Sequence, residues 1–389
     1  MTPVRVLVSA RDPGGAAQMR ALCPALRADT RLAVTVAASG PAFDVLDAAG
    51  ERPIRFTLPD GAVHVPPGGD PTALLDAAAR LIANAAPDVL LVGISSLGVG
   101  LDEALLACAA GRPTFALQDY PGDASAIAGA YAGTYLVRDA IAARITHERF
   151  GAATIMVGSL RHAAYARLDV ERLRAGTRAR IGAATDRLVV GFFGQPPEIP
   201  GHEAAVAHLT DALARWPARP LVLLREHPKF PALRERHALA LRRAGVAVYE
   251  AAGGDVEPWL AACDVVTTGF SHCSMDYAFL DARSARPLGS VLFLLTTPEI
   301  RAFLHTYTGL ERPDGVEAGL GLVAERPDEV EGLLARAGTH AERRRFHEAS
   351  RLLPREARVD VIADTLVEAG VRRAARAGTA GCPCRRCWA

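Results

Sequence analysis

Lysine is almost absent: among 389 residues Lys229 is the single one, and the rest of the positive charge is arginine. Net charge is nearly absent as well, with Lys+Arg 44 against Asp+Glu 43, so the chain lacks the cationic field that nucleic-acid binding needs. A hydrophobic content of 50% excludes a disordered chain. No apolar run reaches the ~18 residues of a membrane span, and the opening MTPVRVLVSARDPGG is too short an apolar stretch for a signal segment. A soluble, cytoplasmic protein is expected, with neither a nucleic-acid partner nor a transmembrane segment.

Cysteine is scarce and badly placed for a disulfide framework. Cys23, Cys108, Cys263 and Cys273 are scattered, and Cys382, Cys384 and Cys387 crowd the end in GCPCRRCWA. The three-thiol cluster falls one short of the four ligands of a closed zinc site, which leaves a mobile or reactive tail and a metal site as alternatives. Two motifs are missing outright. There is no GxGxxG and no GxxxxGK[ST], so neither dinucleotide binding nor ATP hydrolysis by a P-loop is supported.

What is present is a rhythm. Short Val, Leu and Ile runs alternate with segments of helical period, the pattern of strand and crossover helix in a parallel sheet. Strands are predicted near residues 4–9, 32–37, 54–57, 89–92, 114–117, 134–137 and 154–157. A second series follows at 188–193, 221–224, 247–249, 265–268, 291–294 and 321–324. Between them, the Arg-rich segment 170–184 carries few apolar residues and reads as a surface connector. The expected architecture is α/β, with two Rossmann-like doubly wound parallel sheets facing a cleft. The domains are placed at 1–165 and 166–340. Helices over 341–376 are free to run back onto the first domain, and 377–389 form a Cys-rich tail.

In such sheets, ligands bind outside the carboxyl ends of the strands. The loop SARDPGGAAQM puts Gly14 and Gly15 at a strand-to-helix turn where backbone can approach a ligand, with Arg11 and Asp12 beside it. In VGISSLGVGLDE, Ser95 and Ser96 precede a helix with Asp102 and Glu103 in its first turn, which suits capping as well as ligand contact. ALQDYPGD sets Asp119 at a strand end, placed either as a general base for an acceptor hydroxyl or to organise its own turn.

The second half offers groups for an anion. Gln195 leaves a strand in GFFGQPPEIPGH. Arg225, His227 and Lys229 cluster in LLREHPKF, a clamp for a phosphate or diphosphate. In TTGFSHCSMDY, Gly269 allows a turn, Ser271 and Ser274 can donate or cap, and His272 can add a charge-assisted contact. Two successive loops of one lobe then supply anion-binding groups to the same sheet edge.

These residues resemble the GT-B superfamily of nucleotide-sugar glycosyltransferases and the related UDP-N-acetylglucosamine 2-epimerases. DPGGAAQMRALCPALR is similar to the opening Gly-rich turn and helix of that superfamily, and PDVLLVGISS followed by GRPTFALQDY is similar to its second nucleotide-fold half. The His-Pro of REHPK and the Ser-rich TTGFSHCSMDY resemble motifs of bacterial polysaccharide sialyltransferases and CDP-glycerol glycerophosphotransferases. That resemblance implies that His227 and Ser271 contact the donor's diphosphate, with Ser274 or Asp276 in support. Gly269 stands where the glycerophosphotransferase pattern has Asp, and His272 replaces its second Ser. The implied activity is sugar transfer from a nucleotide-diphosphate sugar to an acceptor, with Asp119 and His227 as catalytic groups and no cofactor required. Epimerisation or hydrolysis of the nucleotide sugar, and a non-catalytic binding role, are the alternatives.

Overall fold

A computed structural model describes the chain except residues 1, 59–60, 63, 67, 95–97, 228–229, 231, 355 and 381–389, and the side chains of 377–380. In the first strand, β1 (Val4–Ala10), the apolar residues repeat with period two. Val4, Val6, Val8 and Ala10 enter one core and Leu7 the other, so the sheet is buried on both faces. The strands of this half continue with β2 (Leu32–Ala38), a short β3 (Ile54–Arg55), a short β4 (His64–Val65), β5 (Val89–Gly93), a short β6 (Val99–Gly100), β7 (Thr114–Leu117), β8 (Thr134–Val137) and β9 (Ala153–Met156). Seven of these form one parallel sheet in the order β3-β2-β1-β5-β7-β8-β9, and β4 pairs antiparallel with β6 outside it.

The second series comprises β10 (Val189–Phe193), β11 (Leu221–Arg225), β12 (Ala247–Glu250), β13 (Val265–Thr268), β14 (Ser290–Leu294) and β15 (Leu322–Ala324). It forms a six-stranded parallel sheet in the order β12-β11-β10-β13-β14-β15. Phe193, Leu223 and Phe293 fill one face, and Phe192, Leu224 and Leu292 the other. In each sheet the first strand lies between the second and the fourth of that sheet's strands, the Rossmann order. Each sheet therefore has a switch point where successive loops leave in opposite directions and open a crevice. In the first sheet it lies between β1 and β5, in the second between β10 and β13.

The chain divides into two compact units. The first reaches Ala163 and takes back the segment that starts at Pro354, and the second is Ala164–Leu353. The return is closely fitted. Arg358 donates its N–H to the Val157 carbonyl at 2.8 Å, and a Cβ on Gly158 would lie 2.1 Å from the Glu356 carbonyl oxygen. The helix Val359–Ala380 then buries Ile362 and Leu366 in the core of the first unit, whereas the preceding helix His340–Ser350 stays with the second and buries Phe346 there. The helices expected over 341–376 are thus shared between the units, with the change at Pro354.

The Arg-rich helix Val170–Arg180 is not a surface connector. Arg178 is 8% exposed and lies 3.1 Å from the carboxylate of Asp264, which also receives Arg174 at 2.5 Å and Arg343 at 3.2 Å. Arg174 and Arg178 also donate to the carbonyls of Ala261, Ala262 and Cys263 at a helix end. The buried acid draws the cationic face inward, and Gly182 at φ +68° ends the segment early. Among the described residues, no helix is long and apolar enough to cross a membrane. The described cysteines are free, and burial pushes the Cys23 thiol up to about 12, so it is inert as a nucleophile.

Candidate functional site

In the first unit the switch point is lined with acids. Ser9, fully buried at the end of β1, donates its hydroxyl to Asp102, and Asp102 and Glu103 open the buried helix Leu101–Ala107. Complete burial, with Glu103 next to it, raises the Asp102 carboxyl well above its ordinary value, against the opposing effect of the Ser9 bond. Arg11 turns inward rather than towards a ligand. Its side chain is 4% exposed, pairs with Glu103 at 3.3 Å and donates to the Gly98 carbonyl at 3.0 Å. Glu103 also accepts from Ser125 at 2.5 Å and from the Gly100 N–H at 2.8 Å, so one buried carboxylate ties together three segments.

The Gly-Gly turn has a different reason from the one its sequence suggests. A Cβ on Gly14 would lie 2.2 Å from Oδ2 of Asp119, so the space freed by glycine is filled by that carboxylate. Asp119 is half-buried and accepts from the amide of Gln18 at 3.2 Å. At Gly15 a Cβ would lie 3.6 Å from the Cα of Gly93, an ordinary contact. Ser95 and Ser96 lie outside the described residues.

In the second unit the ends of β11, β10 and β13 are neighbours. Arg225 pairs with Phe193, and Phe192 with Thr267, so these strands end level at one sheet edge. His227, two residues past β11, and Ser271, three past β13, leave that edge on strands about 10 Å apart across β10. The two loops singled out for an anion therefore share an edge.

Several side chains on that edge have structural partners. Gln195 accepts the Phe270 N–H on its side-chain oxygen at 2.7 Å, and that oxygen would lie 2.2 Å from a Cβ on Gly269. This accounts for glycine at 269, since the amide bridging the switch point occupies the place of a side chain there. Arg225 donates to the carbonyls of Gly253 and Gly254, both at 2.8 Å, across a turn whose φ values of +62° and +64° favour glycine. Its two terminal nitrogens thus brace the loop after β12 instead of standing ready as a phosphate clamp. Ser274, in the first turn of the helix Cys273–Asp281, donates its hydroxyl back to the Ser271 carbonyl at 2.9 Å, and Asp276 is buried in the same helix. His272 occupies the N-cap of that helix without a side-chain cap bond. The Ser271 N–H meets the Thr268 hydroxyl at 3.4 Å and the Cys273 N–H meets the Ser271 hydroxyl at 3.3 Å; bonds this long are weak. Lys229 and the tail cysteines Cys382, Cys384 and Cys387 lie outside the described residues.

Beneath His227 lies a group the sequence did not expose. Glu226 is buried, bonds Nδ1 of His237 at 2.7 Å, and would meet a Cβ on Gly194 at 1.9 Å. His237 reaches Glu203 with its other nitrogen at 3.1 Å. Burial acts to lower the His237 pKa, but the bond and charge of Glu226, helped by Glu203, outweigh it, and the pKa rises. The neighbouring His202 is pushed down, chiefly by burial. The two histidines and Glu203 come from the helices His202–Arg215 and Ala232–Arg243, and Glu226 from the loop after β11, between them.

No family model and no curated protein matches this sequence. Solved structures do match along nearly its whole length. The UDP-GlcNAc 2-epimerase of Neisseria meningitidis bound to UDP-GlcNAc superposes with a TM-score of 0.68 at 12% identity, over 94% of this chain and 100% of that one. A glycosyltransferase from Rickettsia africae gives 0.57 at 10%, over 96% and 99%. Anabaena HepE in complex with UDP and glucose gives 0.54 at 13%, over 96% and 99%. The chain has the GT-B fold.

Proposed function

We propose that this GT-B chain is an enzyme acting on a nucleotide-diphosphate sugar, that it binds this donor at the β10–β13 switch point of the second unit, and that it transfers the sugar to an acceptor hydroxyl. The observation that carries the reading is the convergence of the His227 and Ser271 loops at one sheet edge beside the switch point. Departure of the sugar leaves negative charge on the diphosphate, the largest charge change in the reaction. Imidazole at His227 and the weakly bonded amides of Ser271 and Cys273 are the groups assigned to meet it, with His272 and Lys229 in support and Gln195 holding the turn. We assign no step to a metal or cofactor. Asp119, held by Gln18 over Gly14, is the assigned base for the acceptor.

Epimerisation of the nucleotide sugar is the second reading, favoured by the higher TM-score to the Neisseria epimerase. Thermal shift against uridine, cytidine, guanosine and thymidine diphosphates and their sugars tests the binding, because a ligand that prefers the native state raises Tm. One nucleotide is expected to raise Tm, and His227→Ala to remove most of that shift. Product analysis separates the reactions. Nucleotide diphosphate released only with acceptor present supports transfer, and interconversion of the sugar without acceptor supports epimerisation. Absence of any nucleotide-dependent shift would end both.

A further inference from the structure

A cavity of about 510 Å³ opens on the first unit at the edge of its sheet where strands begin. Thr114 and Thr134, the first residues of β7 and β8, line it with buried Phe115 and Ala369. Arg372 and Arg373 of the C-terminal helix stand at its rim. Its volume is that of a small-molecule site. It is separate from the strand-end loops, since the four residues of β7 put ~13 Å between this edge and the one that carries Asp119.

Charge decides what would fit. Arg373 lies 3.2 Å from Asp88, but Asp88 already holds Arg5 at 3.1 Å. Beside the cavity, Arg112 donates to the carbonyls of Pro87 and Ala109, both at 3.0 Å, and burial followed by the nearby Arg373 lowers its pKa. Arg372 has Glu368 at 3.5 Å. The lining itself carries three arginines, Arg372, Arg373 and Arg376, over the buried Phe115 and Ala369. Clustered arginines suit a dianion better than a monocarboxylate, and paired guanidinium forks match phosphate oxygens.

We propose that this cavity binds a phosphorylated small molecule, its phosphate against Arg372 and Arg373 and its carbon skeleton over Phe115 and Ala369. The site is independent of the donor site assigned to the second unit. Isothermal titration of the full chain with phenyl phosphate tests it, with phenylacetate as the monoanion control. Phenyl phosphate is expected to bind, at least fivefold tighter than phenylacetate, and more weakly as salt is added. R372Q/R373Q is expected to weaken it at least tenfold with the melting transition retained, and His227→Ala to leave it unchanged. Should the double variant fail to fold, Arg372→Gln, at a position 66% exposed, serves in its place. Sedimentation with phosphatidylglycerol but not phosphatidylcholine vesicles, lost in the same variant, would identify the phosphate as a lipid headgroup. No binding of either probe, equal affinity in wild type and arginine variant, or loss in His227→Ala instead would overturn the proposal.

Discussion

The two switch points share one strand order and differ in how they are braced. In the first unit the loop after β1 is held by a buried ion pair, Arg11 to Glu103, with Asp102 beside it. In the second the loop after β13 is held by a neutral amide, Gln195 to the Phe270 N–H, and charge enters only one layer down through Glu226 and His237. The difference is instructive because strand topology opens both crevices, while side chains decide what fills each. In the first, Arg11 answers the Glu103 carboxylate, and in the second Glu226, the residue before His227, is buried against His237.

The ionic brace should be the harder to remove. Glu103→Ala leaves the buried Arg11 guanidinium without its main counter-charge and is expected to cost about 3–5 kcal/mol in urea denaturation. Gln195→Ala leaves one N–H unsatisfied and is expected to cost about 1–3 kcal/mol. Equal losses would break the contrast.

The glycines sharpen it at finer scale. Gly14→Ala must push Asp119 aside, so turnover is expected to fall about a hundredfold, the usual size of a general-base contribution. Gly15→Ala meets only ordinary contacts and is expected to change turnover less than threefold in the same assay. A similar loss in both would mean that helix packing, rather than Asp119, matters there.

The smallest effect is the most specific to the second unit. Because the folded-state pKa of His237 is raised, its contribution is complete below the unfolded value of about 6.5 and is lost as pH rises through the folded one. The stability difference between wild type and His237→Gln is therefore expected to shrink as pH rises from 6 to 9. A constant difference across that range would show that His237 does not take up a proton there.

The long strands were legible because Val, Leu and Ile runs such as VRVLVSA and LVLLR must bury both faces of a parallel sheet. The pair β4 and β6 was not, since two-residue strands have no period to detect. The helix Val170–Arg180 misled for an electrostatic reason: arginine reads as solvent-facing until an acid as distant as Asp264 is brought beneath it. At the candidate site the sequence marked His227 and Ser271 as loop residues, whereas Glu226 gave no sign of its contact with His237.

From the sequence alone came the α/β alternation, the number of long strands and the loops where ligand chemistry belongs, because periodicity and turn residues are local properties. Which arginines face inward, which glycine makes room for Asp119 or for Gln195, and which histidine has its pKa raised were decided by tertiary structure. Those outcomes depend on distances and desolvation between residues far apart in the chain, and no local pattern encodes them.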